Sequence, residues 1–585
     1  MCGIFGYIGK KKSATIILDG LKRLEYRGYD SWGIAVGQEK FAVEKHVGKI
    51  GEAVTTLPQS GIGIGHTRWA THGGVTKENA HPQIDCTRTV ALVHNGIIEN
   101  YEVLKKKLLQ KGHTFLSETD TEVMVHLIEE KMKSDSFVDA VLKCFQELEG
   151  LNAIVAVHAK EKVIVAVKNG SPLVVGFGDG ESFIASDAAS LLQHTKKVVF
   201  LEDHEAAVLT ENEPKIIDIK SGHVLKRKPT QLTWKFEETN RGSYPHFMLK
   251  EIYDQPGVLT EIAQKSHKDI KKVSDLIRTS YGTFMVACGS ASYAALSGQY
   301  LFSRVAHRHV NPSIGSEFVY HADFLTPRSL VIALSQSGET IDVIESVKLA
   351  KGKGTTIIAL VNVLGSTLYR MADTNVLLRA GVEKGVCATK SFTAKLGVLI
   401  LLSYMLDGRY TEGRKILLKT SEALDTLLHS PLVDQVKRFA HSLREVKHLF
   451  VIGRGQSYPI SLEAALKVKE VSYIHAEGFA AGELKHGVIA LIEKGTPCLV
   501  FAPNDETYGA VLSGAMEMKA RGGHMIGVTP QKSEVFDEII HIPDLVDGSS
   551  ILQTVVAQLF AYYLAVEKGY DPDKPRNLAK SVTVK

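Results

Sequence analysis

Cys2 stands directly behind the initiator methionine. Its small side chain permits removal of Met1, which would leave a free α-amine beside a thiol on one residue. An α-amine with an ordinary pKa of ~7.7–8.0 is partly neutral near pH 7 and can take a thiol proton as a general base. Nucleophile and base would then be one amino acid. Three later runs add suitable polar groups: His66–Gly73 (HTRWATHG) after a glycine-rich strand, His94–Asn100 (HNGIIEN) at a strand-to-helix turn, and Ser117–Glu122 (SETDTE) ahead of a helix. Singly, each has a plain structural role: Arg68 as a surface ion pair, Asn95-Gly96 as a turn, Asp120 as a helix N-cap.

A second set lies further along. Ser335-Gln336-Ser337-Gly338-Glu339-Thr340 sits between an apolar strand and an amphipathic helix over Ile341–Lys351. Successive N–H groups, a helix N-terminus and three hydroxyls make an anion nest. The segment lacks GxxxxGK[ST], so it is no nucleotide P-loop, and it suits a sugar monophosphate. Cys288-Gly289-Ser290 ends the preceding strand on the same sheet edge, where ligands of such folds collect. Glu463, Lys467 and Glu470 recur at one helical face, which by itself reads as a solvated, salt-bridged surface. The run LKVKEVSYIHAEGFAAGELKHG around them is nevertheless dense in acids and bases. The tail from Pro575 to Lys585 reads by itself as a frayed terminus.

The elements that must position these groups fall into two textures. Over the first ~220 residues, short β-like runs (Gly61–His66, Val90–His94, Ile154–Val157, Val163–Val167, Val198–Leu201) alternate with amphipathic stretches at Asn100–Lys111 and Thr121–Lys133. That is an α+β pattern with helices covering sheets. Residues 226–256 are polar and proline-punctuated, as in a connecting segment. Beyond them is an internal repeat. FMVACGSASY (from Phe284) pairs with LFVIGRGQSY (from Leu449), VIALSQSGET (from Val331) with CLVFAPNDET (from Cys498), and IIALVN (from Ile357) with MIGVTP (from Met525), at nearly constant offset. Apolar strands alternating with helical segments predict a doubly wound parallel α/β sheet in each copy. The expected division is 2–225, a connecting segment 226–256, 257–415, 430–570, and a tail 571–585.

Composition narrows the classes. With 585 residues, 44% hydrophobic and 23% charged, the chain is ordinary globular material of several domains. A net charge of +4 without a long basic run argues against nucleic acid as the main ligand. The longest apolar stretch, around Gly397–Leu406, falls short of the ~18 residues of a membrane span, and the N-terminus lacks a signal-peptide pattern. Six scattered cysteines without a CxxC pair suggest neither a disulfide framework nor a zinc site. The expectation is a reduced, cytoplasmic chain with no metal and no cofactor.

The ordered motifs CGIFGYI, YRGYDSWG, HTRWATHG, HNGIIEN and SETDTE resemble the class II glutamine amidotransferase domain, an N-terminal-nucleophile hydrolase fold with sandwiched sheets. The resemblance implies that Cys2 attacks the carboxamide of L-glutamine through a thioester. Asn95 and the Gly96 N–H would hold the oxyanion, Arg68 the α-carboxylate and Asp120 the α-ammonium. Thr71 and His72 would line the pocket, and Trp69 would border the exit of ammonia.

The repeat resembles paired sugar isomerase (SIS) domains, and the whole chain resembles the isomerizing glutamine–fructose-6-phosphate aminotransferase family. By that resemblance D-fructose 6-phosphate is aminated at C2 and isomerised to the aldose. Phosphate and sugar would be held by Cys288, Gly289, Ser290, Ser335, Gln336, Ser337 and Thr340, with Lys467 near the sugar hydroxyls and Val386 and Ala579 contacting through backbone atoms. His486 would open the ring across a homodimer interface, Lys580 would form an imine, Glu470 would shuttle the C1–C2 proton, and the tail would close the sugar site. Ammonia would travel through an enclosed hydrophobic conduit, since desolvation keeps it neutral. Two positions depart from the family pattern: Ala291 in the CGTS position and Ala388 where serine is usual. An amidophosphoribosyltransferase shares the first domain but should carry an acidic phosphoribosyl-pyrophosphate loop, which is missing. A non-catalytic SIS sensor would leave Cys2, Arg68, Asn95 and Asp120 unexplained.

Overall fold

The computed structural model describes residues 2–232 and 241–582, and contacts divide them into two units. One holds 2–232 with 579–582; the other holds 241–578.

The first unit is built on two antiparallel sheets. One has eight strands in the order Thr230–Gln231, Lys197–Phe200, Val174–Phe177, Ser182–Ala185, Gly3–Ile8, Ile62–Arg68, Ser31–Gly37, Phe41–Val47. The other has seven: Val224–Leu225, Lys215–Asp218, Glu205–Leu209, Val163–Asn169, Asn152–His158, Val90–Gly96, Gln83–Ile84. Alternation puts Ile4, Ile62 and Ile64 from one sheet against Ala91, Val93 and Val155 from the other in a shared core. The outer faces are closed by helix Ser13–Leu24 on one side and by Tyr101–Gln110, Thr121–Lys131 and Phe137–Gln146 on the other. Gly3–Ile8 is therefore a central strand, and Cys2 enters the fold at its head.

The second unit carries two parallel five-stranded sheets of one topology. The first runs Asn311–Ile314, Gly282–Ala287, Ser329–Ser335, Thr356–Val361, Thr374–Leu377, and the second His475–Ala480, His448–Gly453, Pro497–Phe501, His524–Thr529, Glu538–His541. Each pair of repeated segments supplies equivalent strands, as the sequence repeat requires. In each sheet the order reverses beside the first strand, the place where open α/β sheets bind ligands. The two sheets share one large core, because helices Lys390–Leu406 and Ser549–Glu567 are apolar almost all round and bury nearly every residue. The stretch Val546–Glu567 exceeds the apolar run expected to be longest; by length and composition it could cross a membrane, yet most of it is buried inside the fold.

The connecting segment is shorter than the sequence suggested. Thr230–Gln231 pairs with Lys197–Val198, while Phe247–Tyr253 and Gln255–Lys265 are helices; 233–240 lie outside the described residues. Polarity hid the first helix, whose N-terminal N–H groups of Phe247 and Met248 are both taken by the Asp573 carboxylate at 2.7 Å.

Candidate active sites

In the first unit, register sets the geometry. Gly3 pairs with Thr67, whose hydroxyl accepts the Gly3 N–H at 3.0 Å, so Cys2 lies beside the end of Ile62–Arg68. The Trp69 N–H donates to Cys2 Sγ at 3.2 Å, and Sγ in turn lies 3.5 Å from the Trp69 carbonyl, so the sulfur is held against the backbone of Trp69. Asn95 Nδ2 donates to the Cys2 carbonyl at 3.0 Å, which uses one of its two protons. Asn95 is itself held by His66, whose Nε2 lies 3.1 Å from Asn95 Oδ1 and 3.0 Å from the His94 carbonyl. Burial pushes His66 down to about 3, so the ring is neutral and Nε2–H is a donor to both oxygens. That contact orients the Asn95 amide with nitrogen toward Cys2. His94 is fixed between Thr121 Oγ1 (2.9 Å) and Asn152 Oδ1 (2.8 Å). Gly96 has φ +144°, and a Cβ there would meet the Leu151 carbonyl at 2.2 Å; only glycine fits.

Arg68 is no surface ion pair. It is 3% exposed and its guanidinium donates to the carbonyls of Gly74 (3.0 Å), Gly73 (3.2 Å) and His72. These bonds fold the His72–Gly74 loop over it, with the His72 ring against Tyr101. Asp120 does not cap its own helix; its Oδ2 accepts the Ile98 N–H at 2.8 Å, just past Gly96. Trp69 is half-buried edge-on to Tyr29, and Thr71 is exposed.

In the second unit, Ser335 and Ala287 end adjacent parallel strands, which puts Cys288-Gly289-Ser290 and the Ser335–Thr340 turn on one sheet edge. The Ser335 hydroxyl accepts the Gly338 N–H at 3.0 Å and lies 3.0 Å from Thr340 Oγ1; Ser337 Oγ accepts the Glu339 N–H at 3.1 Å. The Gln336 carbonyl is anchored by the Asn362 N–H. Gly338 has φ +67°, and a Cβ would come within 2.0 Å of Ser366 Oγ.

Helix Ser457–Ser472 turns its polar face inward. Glu463 is 1% and Lys467 0% exposed, so the expected solvated face is a buried ionic cluster. Lys467 Nζ lies 3.5 Å from Glu463 Oε1, pairs closely with Glu470, and donates to Ser290 Oγ at 3.2 Å. Burial raises Glu463 to about 7 against the pull of Lys467, and the Glu470 charge pushes the same way. Lys467 is held protonated, because the two carboxylates outweigh its own burial.

Two regions of this chain match the SIS domain family model, 277–404 and 442–568, and 66–193 match the glutamine amidotransferase domain model. Glutamine–fructose-6-phosphate aminotransferase [isomerizing] of Thermococcus kodakarensis is 44% identical over 603 residues, covering 100% of both chains. The chain belongs to the isomerizing glutamine–fructose-6-phosphate aminotransferase family. The enzyme of that name from Pyrococcus horikoshii is also 44% identical over 100% of both. The solved C-terminal domain of the glucosamine-fructose-6-phosphate aminotransferase of Francisella tularensis matches with TM-score 0.52 and 32% identity, covering 57% of this chain and 99% of that one.

Other family positions are less gathered. His486 is exposed at the end of the 3-10 helix Ala481–His486. Ala579 and Lys580 cluster with the first unit. The Val386 N–H is already taken by the Asp573 carbonyl at 3.1 Å. In this aminotransferase-family chain, the sequence named His66 only as the start of a motif and Glu463 only as part of a solvated face, and gave neither a place in a site. Glycine-rich alternation around His66 and the helical repeat containing Glu463 were the available signals, and neither discloses burial.

Proposed function

We propose that the chain transfers the amide nitrogen of L-glutamine to D-fructose 6-phosphate, giving L-glutamate and D-glucosamine 6-phosphate, the entry reaction to amino-sugar synthesis. One observation carries the reading: full-length likeness to chains named for that reaction, 44% identical over 100% of each.

After loss of Met1, the α-amine of Cys2 takes the thiol proton and sulfur attacks the carboxamide. The second Asn95 Nδ2 proton and the Gly96 N–H receive the oxyanion. Arg68 sets the glutamine carboxylate and Asp120 its ammonium, with Thr71, His72 and Trp69 around them. The tetrahedral adduct then collapses to the thioester as the C–N bond breaks, the α-ammonium of Cys2 returning its proton so that the nitrogen leaves as neutral ammonia, the form whose lone pair can attack a carbonyl. Water afterwards hydrolyses the thioester to glutamate and the free thiol. The ammonia travels out of contact with water.

At the sugar site, Ser335, Gln336, Ser337 and Thr340 bind phosphate, assisted by Cys288, Gly289 and Ser290. His486 opens the ring across a homodimer interface; its exposure supports that role. Lys580 forms the C2 imine, Glu470 moves the proton between C1 and C2, and Lys467 orders the hydroxyls. Val386 and Ala579 hold sugar through backbone, and the tail closes over it in the cytoplasmic dimer. Purified chain given amide-labelled glutamine and fructose 6-phosphate should yield labelled amino sugar and glutamate in equal amounts. Glutamate without amino sugar would refute the reading.

A further inference from the structure

The first unit gathers four metal-ligating side chains in a place the glutamine chemistry does not use. Cys86 lies in the loop between Gln83–Ile84 and Val90–Gly96, His113 follows helix Tyr101–Gln110, and His126 and Glu129 sit three apart on helix Thr121–Lys131. Their spacing along the chain matches no metal motif, so the sequence pointed to none. One ligand atom of each lies within 4.8 Å of all the others. Cys86 Sγ is 3.6 Å from His126 Nδ1 and 3.9 Å from His113 Nδ1; Glu129 Oε2 is 3.0 Å from His126 Nδ1 and 3.1 Å from His113 Nδ1. Tetrahedral zinc with bonds of ~2.0–2.3 Å places its ligands about 3.3–3.7 Å apart. The four distances above, 3.0–3.9 Å, bracket that range, and the remaining two pairs lie within 4.8 Å.

We propose that Cys86, His113, His126 and Glu129 bind a structural Zn²⁺. The outward nitrogen of His113 supports this. His113 Nε2 lies 3.1 Å from Glu130 Oε2, whereas His126 Nε2 faces Glu122 Oε1 at 3.7 Å, beyond hydrogen-bond distance. A carboxylate hydrogen-bonded behind the ring is the usual support of a metal-bound histidine, and Glu130 gives it to His113, whose Nδ1 faces the other three ligands. His113 meets a carboxylate oxygen at both ring nitrogens, Glu129 Oε2 at Nδ1 and Glu130 Oε2 at Nε2. One thiolate plus one carboxylate balance the charge of Zn²⁺. Thiolate, two imidazoles and a carboxylate are a donor set suited to zinc rather than to magnesium or calcium. Both histidines are buried and Phe115 packs edge-on to His126, while Cys86 faces solvent and offers an entry path. The ion would tie the 85–89 loop and the turn at His113 to helix Thr121–Lys131, which follows directly on Asp120.

The full chain, freed of metal by chelator and dialysis, is titrated with Zn²⁺ and separately with Co²⁺. Elemental analysis should find about one zinc per chain after gel filtration, and Co²⁺ should give a thiolate charge-transfer band with intense tetrahedral d–d bands. At a hundredfold excess over Kd, zinc should raise the first unfolding transition by roughly 5–10 °C. Cys86→Ser, at an exposed position, should fold yet lose the thiolate band and most of the thermal shift; Glu129→Gln should weaken binding. No zinc retained and no thermal shift would overturn the proposal and leave the group as a charge cluster. Zinc retained with an unaltered cobalt spectrum in Cys86→Ser would overturn the assignment of ligands.

Discussion

The Ser290 hydroxyl donates to Glu463 Oε1 at 3.0 Å while accepting from Lys467 Nζ at 3.2 Å. That single side chain joins the first turn of a helix in one SIS copy to the buried ionic face of a helix in the other. Ser290→Ala removes a partner from both buried ions, and unmet polar groups there cost about 1–3 kcal/mol. The expected outcome is a lower melting point and roughly tenfold slower conversion of fructose 6-phosphate. Hydrolysis of glutamine to glutamate should be nearly unchanged.

Glu463 supplies a pH dependence. Its carboxyl is raised by burial from 4.5 to about 7, with Lys467 opposing and Glu470 adding to the rise. A folded pKa above the unfolded one means the folded chain holds the proton more tightly. This contribution to stability is whole below about 4.5 and is lost as pH rises through about 7. Ionisation also adds a second negative charge beside Lys467 and Glu470. Sugar isomerisation should therefore show a step in rate near neutrality, and Glu463→Gln should flatten it. A Glu463→Gln profile identical to wild type would exclude Glu463 as its source.

The first unit should respond to acid in the opposite sense. Burial holds His66 down at about 3 and also lowers His81 and His94. These rings stay neutral in the fold but take protons once unfolded, so stability is present above about 6.5 and drains away as pH falls toward 3. Melting curves from pH 7.5 to 5 should show the first unit weakening. His66→Asn should reduce that slope while slowing glutamine hydrolysis about tenfold, because Asn95 loses its orienting donor.

Much of this was legible because the physics is local. The runs at Val90–His94, Ile154–Val157 and Val163–Val167 alternate or stay apolar, and each is a strand within two residues of the expected ends. Thr121–Lys133 and Ile341–Lys351 carry helical periodicity, and the helices Thr121–Lys131 and Ile341–Gly352 end within two residues of them. The repeat was readable because equivalent strands occupy equivalent places in two sheets of identical order. Burial was not readable. A Glu463–Lys467 pair at i, i+4 looks the same on a solvated face as in a core, and only the packing of Ser290 against it decides. Arg68 is a similar case: its partners are the backbone carbonyls of residues 72–74, which carry no side-chain signature.

Cys2→Ala separates the two chemistries. With the nucleophile gone, glutamate production should fall at least roughly a thousandfold, since loss of a covalent nucleophile leaves only binding and the oxyanion donors. Isomerisation of fructose 6-phosphate should persist, because its proposed groups lie elsewhere in the chain. Loss of both activities in a folded Cys2→Ala protein would mean that the sugar chemistry depends on Cys2.

Gly338→Ala tests the anion nest. The residue has φ +67°, and an added Cβ would fall 2.0 Å from Ser366 Oγ and 2.6 Å from Ser366 Cβ. Strain of that kind costs about 1–3 kcal/mol and displaces the N–H that Ser335 accepts. KM for fructose 6-phosphate should rise about tenfold or more, while KM for glutamine stays put. Ser366→Gly in the same chain opens the space and should recover part of the loss, although the positive φ keeps recovery incomplete. If Gly338→Ala binds the sugar phosphate as wild type does, phosphate is held elsewhere, and the edge formed by Ser335 to Thr340 is only a capped helix start.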